Sequence, residues 1–294
     1  MTSHKLPKAF DAELHRTDTS AGEVAYYRAG TGAPLLLIHS INAAATAYEM
    51  KPLFDRFVGE RTVYAIDLPG FGFSDRSDRD YSIALYTEAI KALLDQIKTE
   101  HSRAADVVAL SLSCEFLARA AVESPTSVRK MVFLCPTGFM KRDVARTGPR
   151  GASREIAWVS KLLSGRLGRG AFRLLTKPAT IRYFLGRTWG SDQIDEELAE
   201  YDAVTAQQPG ARFAPLAFIS GKLFSKDIFS LYQSLTLPVL MLHGNRGDFN
   251  DYRGANWTRE QSNWQVTEYD GGALIHFEHP EAIHQQIRQF LGAD

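Results

Sequence analysis

Ser111 is the residue whose setting most directly suggests chemistry. It lies in Ala109-Leu110-Ser111-Leu112-Ser113. Before it, Asp106 to Leu110 is a short apolar run that suits a buried strand. After it, Glu115 to Val122 reads as a helix with Phe116, Leu117 and Ala120 to Val122 on one face. This is the outline of a nucleophile elbow, in which a strand turns sharply into a helix and lifts a hydroxyl above the sheet edge. The usual spacing is G-x-S-x-G, because the turn leaves little room two residues either side of the serine. Ala109 and Ser113 occupy those places here, and both are small enough to keep the turn possible. A neutral hydroxyl is a poor nucleophile and needs a base. The base needs an acid to orient it, and the developing oxyanion needs backbone N–H donors.

The flanking chain supplies elements that can position such a group. Phe10 to Asp18 and Glu23 to Arg28 read as a hairpin with a turn at Thr19 to Gly22. Leu35 to Ile38, Thr62 to Ile66 and Val128 to Leu134 are apolar runs expected of strands buried on both faces. Tyr48 to Phe57 and Leu85 to Ile97 read as helices between them. Strands resume at Pro238 to His243 and Trp264 to Tyr269, and Glu281 to Leu291 closes as an amphipathic helix. This alternation predicts an α/β fold, a mostly parallel eight-stranded sheet flanked by helices. It stops between about Met140 and Ile228, a stretch rich in basic residues, glycine and aromatics, with helical patches at Glu155 to Leu163 and Ala171 to Leu175. The expected organisation is therefore a core at 1–139 and 229–294 with a helical lid at 140–228.

At 294 residues the chain is long enough for one large α/β domain with an insertion. Lys and Arg balance Asp and Glu at 34 each, which gives no argument for nucleic acid or an anionic membrane surface as partner. The N-terminal stretch lacks the apolar centre of a signal peptide, and no apolar run approaches a membrane span. Cys114 and Cys135 both lie in apolar settings and read as reduced core thiols, consistent with the cytoplasm. No metal-ligand spacing, phosphate-binding glycine loop or repeat is present, so no cofactor or metal is expected. The expected partner is a small-molecule substrate or ligand, and the oligomeric state is left open.

The order of motifs resembles the α/β-hydrolase superfamily. The resemblance rests on LLLIHS and its small-residue loop, DLPGFGFSD, the turn at Ser111, the strand LPVLMLHG and the terminal FEHPEAIHQQIRQFL. It covers nearly the whole chain outside the lid and is nearer to lidded esterases and C–C hydrolases. It implies Ser111 as nucleophile and the amides of Ile41 and Leu112 as the oxyanion hole. Ser40 departs from the usual His-Gly pair, and His39 either contributes there or packs beneath the loop. The acid implied is Asp248, one residue later than the usual slot, with Asp251 as the alternative.

The base is the principal departure. Glu278 and Pro280 set the register of the family's closing motif, and the histidine slot then falls on Ala273. His276, one helical turn further on, is the candidate substitute; the alternative is that it only packs. Ser40, Ala109, Ser113 and the shifted acid depart together, which favours natural divergence over one engineered change at 273. His279 and His284 are expected on the surface, Asp67 in loop support and Cys114 as an inert thiol. The basic stretch Lys141 to Arg150, with Arg154, either meets an anionic group or is solvated. Trp158, Phe172, Tyr183, Phe184 and Trp189 either line an apolar pocket or form the lid's own core. These readings imply a serine-dependent hydrolase or acyl transferase for a small, mostly apolar ester, thioester or related acyl compound. The alternative is a divergent protein of the same fold that binds a ligand or performs non-hydrolytic lyase or cyclase chemistry.

Overall fold

The computed structural model describes residues 5–144 and 147–292, leaving aside the side chains of Arg142 and Val144. Eight strands, β1 (Glu13–Thr19), β2 (Gly22–Ala29), β3 (Pro34–Ile38), β4 (Thr62–Asp67), β5 (Ala105–Leu110), β6 (Val128–Leu134), β7 (Val239–Gly244) and β8 (Trp264–Tyr269), form one sheet. Their order is β1-β2-β4-β3-β5-β6-β7-β8. β2 runs antiparallel to both neighbours, and every other pairing is parallel.

The central strands are apolar throughout because both faces are covered. Leu36, Ile38, Val107, Ala109, Met131 and Phe133 pack toward the helices Ile83–His101 and Ser113–Glu123. Leu35, Leu37, Val108, Leu110, Val132 and Leu134 pack toward the helices Lys51–Phe57 and Pro280–Leu291. Alternate residues point to opposite faces, so each strand feeds both layers. The predicted helix over Tyr48 to Phe57 is a 3₁₀ turn, Ala47–Met50, running into an α-helix.

Among the described residues, seven helices lie between β6 and β7, and none of the eight strands comes from 140–228. This helical insertion is tied to the helix that follows Ser111. Glu115 accepts from Thr137 Oγ1 at 2.5 Å and from the Ser225 amide at 2.9 Å, and Arg119 is paired with Asp227 at 2.8 Å. No described helix is long and apolar enough to cross a membrane.

Candidate functional site

Ser111 follows the last residue of β5 and precedes the helix Ser113–Glu123 by one residue. Its φ is 56°, a left-handed conformation that costs a non-glycine residue roughly 1–3 kcal/mol. The turn is over-determined: the Ser111 amide donates to the Leu134 carbonyl at 2.8 Å, and its carbonyl accepts from Cys114 at 3.2 Å. The side chain is half-buried, and among the described residues its hydroxyl has no hydrogen-bond partner.

The departures from glycine on this side are each accommodated. Ser113 is fully buried and its Oγ donates to the His39 carbonyl at 2.5 Å, tying the Ser111 turn to the loop after β3. In that loop the Ser40 amide donates to Glu49 Oε2 at 2.7 Å, and the Ser40 hydroxyl donates to Oε1 at 3.0 Å. Asn42 Nδ2 donates to the same Oε1 at 2.6 Å, and Asn42 Oδ1 accepts from Ala44. Glu49 is buried, and desolvation raises its carboxyl to about 7 against the pull of these donors. Asp202, on the insertion helix Glu196–Thr205, is also buried and is raised first by desolvation and then by the charge of Glu49. The loop so held carries Ile41. Among the described residues, neither the Ile41 amide nor the Leu112 amide has a protein acceptor.

His39 packs beneath the loop. Its Nδ1 faces the Ser40 carbonyl at 2.6 Å and its Nε2 accepts from the Leu68 amide at 2.9 Å, so it is a neutral imidazole held near 3 by burial. Asp67 accepts from the Ala47 and Phe73 amides and braces DLPGFGFSD; a Cβ at Gly72 would sit 1.9 Å from its carboxyl carbon. Cys114 is buried, and desolvation pushes its thiol well above the usual range, which leaves it inert. Cys135 is likewise buried and pushed up to about 12.

The other half of the constellation is arranged differently. Asp248 is exposed and clasped by Arg187 of the insertion, at 2.6 Å to Nε and 2.8 Å to Nη2, which holds its carboxyl below the usual range. Asp251 is clasped in the same way by Arg253, whose hydrogen bonds hold it at about 2. Both acids line an open cleft of about 650 Å³ with Met140, Lys141 and Arg253, a cleft that neither Ser111 nor His276 lines. Ala273 is buried, and its amide donates to the Thr188 carbonyl at 2.9 Å. A Cβ on the neighbouring Gly272 would meet that same carbonyl oxygen at 2.4 Å. The end of the insertion helix Pro178–Trp189 therefore seats directly on this loop. His276 is fully buried, with Nε2 at 2.7 Å from the Glu49 carbonyl oxygen and Nδ1 unpartnered among the described residues. Burial holds it near 4, so it is neutral. Among the described residues Ser111, Asp248 and His276 make no hydrogen bond to one another.

Two expectations are corrected, His284 on the surface and the aromatic set in the insertion. His284 is buried, edge-on to Phe57 at 4.5 Å, because its helix turns that side to Lys51–Phe57. Phe172 and Trp189 are buried, whereas Trp158, Tyr183 and Phe184 are exposed and form no part of the insertion's core; Tyr183 lines an open cleft on the insertion's own surface with Arg182, Arg187 and Ser191. In the basic stretch Lys141 to Arg150, Ala145 and Arg146 lie outside the described residues. Arg154 is paired with Asp143 at 2.7 Å, and Arg150 lies 3.6 Å from Glu123. Glu49, Glu115 and Arg187 escaped sequence reasoning. A glutamate among apolar neighbours in Ala47-Tyr48-Glu49-Met50 was the one available signal of a buried carboxyl.

The sequence matches the alpha/beta hydrolase family over residues 35–286. It is 24% identical over 221 residues to the 2-(acetamidomethylene)succinate hydrolase of Mesorhizobium japonicum, covering 73% of this chain and 71% of that one. It is 29% identical over 159 residues to an uncharacterized protein of Mycobacterium tuberculosis, and that match takes in 53% of this chain but only 41% of the relative. Among solved structures, it resembles a probable hydrolytic enzyme from Pseudomonas aeruginosa with a TM-score of 0.75 at 19% identity, covering 97% and 96% of the two chains. It also resembles the meta-cleavage product hydrolase of Pseudomonas fluorescens, with a TM-score of 0.71 at 18% identity, covering 94% and 97%. At these identities the structural likeness speaks for the fold. With the sheet order, the turn at Ser111 and a match over most of its length, the chain belongs to the alpha/beta hydrolase family.

Proposed function

We propose that the chain is a serine-dependent hydrolase or acyl transferase for a small, mostly apolar ester, thioester or related acyl compound bound beneath a lid formed by 140–228. Ser111 is the attacking hydroxyl, and the Ile41 and Leu112 amides receive the oxyanion. The observation that carries this reading is the left-handed turn at Ser111, with the Leu112 amide next to it and the Ile41 amide on the loop that Ser113 ties to the turn, both without protein acceptors among the described residues. Strained backbone angles cluster at functional sites, and at Ser111 the hydroxyl and the amide that follows it both lack a protein partner among the described residues. The Mesorhizobium relative is named as a hydrolase of 2-(acetamidomethylene)succinate, a small acyl compound, which supports hydrolysis as the reaction class. The proton leaves to water, because His276 is engaged with Glu49 and Asp248 with Arg187. Attack is therefore slow.

A second reading has its own support. The Ala273–Thr188 hydrogen bond and the Arg187–Asp248 pair give the base and acid loops over to packing. This favours a protein that binds a small carbonyl compound without hydrolysing it, or that performs lyase or cyclase chemistry.

An organophosphorus probe separates the two. In the first reading the parent labels slowly, Ser111→Ala not at all, and His276→Ala at the parent rate. Ala273→His combined with Arg187→Ala supplies an imidazole and frees Asp248, and it speeds labelling by about 10²–10⁴-fold, the usual worth of a general base. Failure of every variant to label, with the folds intact, establishes the second reading. Rapid labelling of the parent that survives His276→Ala means that another base serves Ser111, and overturns the account of this loop.

A further inference from the structure

Charge in this chain is balanced overall but not locally. Lys and Arg total 34, as do Asp and Glu, yet no acidic residue occurs between Ala157 and Trp189. That stretch carries Lys161, Arg166, Arg169, Arg173 and Lys177 in addition to Arg182 and Arg187. Arg182 is paired with Glu196 and Arg187 with Asp248. Among the described residues the other five have no carboxylate partner. They are exposed, and they lie on or just beyond two consecutive helices, Ala157–Leu163 and Arg166–Leu175.

The same two helices expose large apolar side chains. Trp158 is 70% exposed and Leu162 47%, one turn apart on the first helix; Leu167 is 67% exposed and Leu174 58%, two turns apart on the second. The second helix has three distinct sides. Gly168 and Phe172 face inward and are buried. Leu167 and Leu174 share one outer strip, and Arg166, Arg169 and Arg173, at spacings of three and four, share the strip beside it. The inward side already satisfies the fold, so packing does not account for the leucines.

A helix lying in a lipid interface needs this arrangement, with apolar side chains entering the acyl boundary and cations beside them at headgroup level. Arginine stems can lie along the apolar surface while their guanidinium groups reach the phosphates. A nucleic acid would engage the arginines and stack on Trp158, but it would leave Leu162, Leu167 and Leu174 in water. The positive strip and the exposed leucines together complement one kind of partner, an anionic phospholipid surface.

We propose that the helical pair Ala157–Leu163 and Arg166–Leu175 docks the protein peripherally on anionic phospholipid bilayers. The docking does not depend on whether Ser111 attacks a substrate, and its test uses no catalytic readout.

The intact protein is co-sedimented with vesicles of phosphatidylcholine alone and of phosphatidylcholine mixed with phosphatidylglycerol. Tryptophan emission is followed in parallel, with Trp158→Phe as the reference for the reporting residue. The expected result is binding to the mixed vesicles, little to the neutral ones, and weakening as salt is added. Arg166→Gln/Arg169→Gln/Arg173→Gln lowers partitioning on the order of a hundredfold. Leu167→Ser/Leu174→Ser lowers it by about tenfold or more, without altering the circular dichroism spectrum. Where the arginine variant fails to fold, Lys161→Gln/Lys177→Gln reads the same electrostatic contribution. Absence of binding to mixed vesicles overturns the proposal, as does equal binding by parent and charge variants. Selective binding of single-stranded RNA in place of vesicles also overturns it, in favour of a nucleic-acid surface.

Discussion

The two halves of the site differ in what replaced the family's usual residues. Around Ser111, both serines that stand in place of glycine bring a compensating hydrogen bond, while Ala109 is simply small enough to fit. Ser113 in place of glycine donates to the His39 carbonyl, and the Ser40 hydroxyl, in place of glycine, adds a donation to Glu49 beside the one its backbone amide makes. Around Asp248 and Ala273, the loops instead take the helical insertion as partner, through Arg187 and the Thr188 carbonyl. The first half keeps its backbone groups in position by a buried, satisfied polar network. The second is held by an exposed ion pair and a close backbone contact. Buried networks transmit a lost partner as a large cost, whereas exposed pairs do not. The half that carries Ser111 and the Ile41 loop is thus braced by buried groups, and the half that carries Asp248 and Ala273 is held through the insertion.

That contrast can be broken from the rigid side first. Glu49→Ala removes the acceptor of three donors in a buried setting, and a destabilisation on the order of 3 kcal/mol is expected in chemical denaturation. It should also loosen the loop bearing Ile41 and slow probe labelling at Ser111. A loss no larger than that of a surface substitution would show that the network is not what holds the loop.

The same carboxyl gives a pH signature of similar size. Its value is about 7 in the fold against 4.5 when solvated, so the folded state binds the proton more tightly. The stability this contributes is fully present below about 4.5 and is lost as pH rises through about 7, on the order of 3 kcal/mol in all. Asp202 is raised and acts in the same sense. His39 and His276, depressed to about 3 and about 4, act oppositely, removing stability as pH falls below 6.5. The test is therefore a difference: unfolding free energy against pH for the parent minus that for Glu49→Gln, which should slope downward between 4.5 and 7. A flat difference would mean that Glu49 is ionised across the range.

A smaller effect is expected from the other half. Gly272→Ala places a Cβ against the Thr188 carbonyl and the Trp189 backbone, so the end of the Pro178–Trp189 helix must withdraw. A cost of about 1–3 kcal/mol is expected, as for other overpacked contacts, together with faster proteolysis near Gly190. If stability and cleavage are unchanged, the insertion does not seat on this loop in solution.

Much of the fold was legible in the chain. Runs such as Leu35 to Ile38 and Val128 to Leu134 are apolar without alternation, and a strand covered on both faces leaves no other composition possible. The turn at Ser111 was legible because only small neighbours permit it. What could not be read was where side chains 60 to 230 residues apart would meet: Asp248 with Arg187, and His276 with the Glu49 carbonyl. Nor did whole-chain neutrality disclose the cationic, leucine-bearing face of the insertion, since the compensating acids lie elsewhere.

The sequence by itself determined the order of strands and helices, the place of Ser111 at a strand end, and the absence of a histidine at 273. Those follow from local spacing and from residue identity, which folding cannot change. Only the tertiary structure decided that His276 is buried against the Glu49 carbonyl, that Asp248 is paired with Arg187, and that Glu49 braces the Ile41 loop. Each is a pairing across the chain, set by which surfaces the closed core and its insertion bring within about 3 Å.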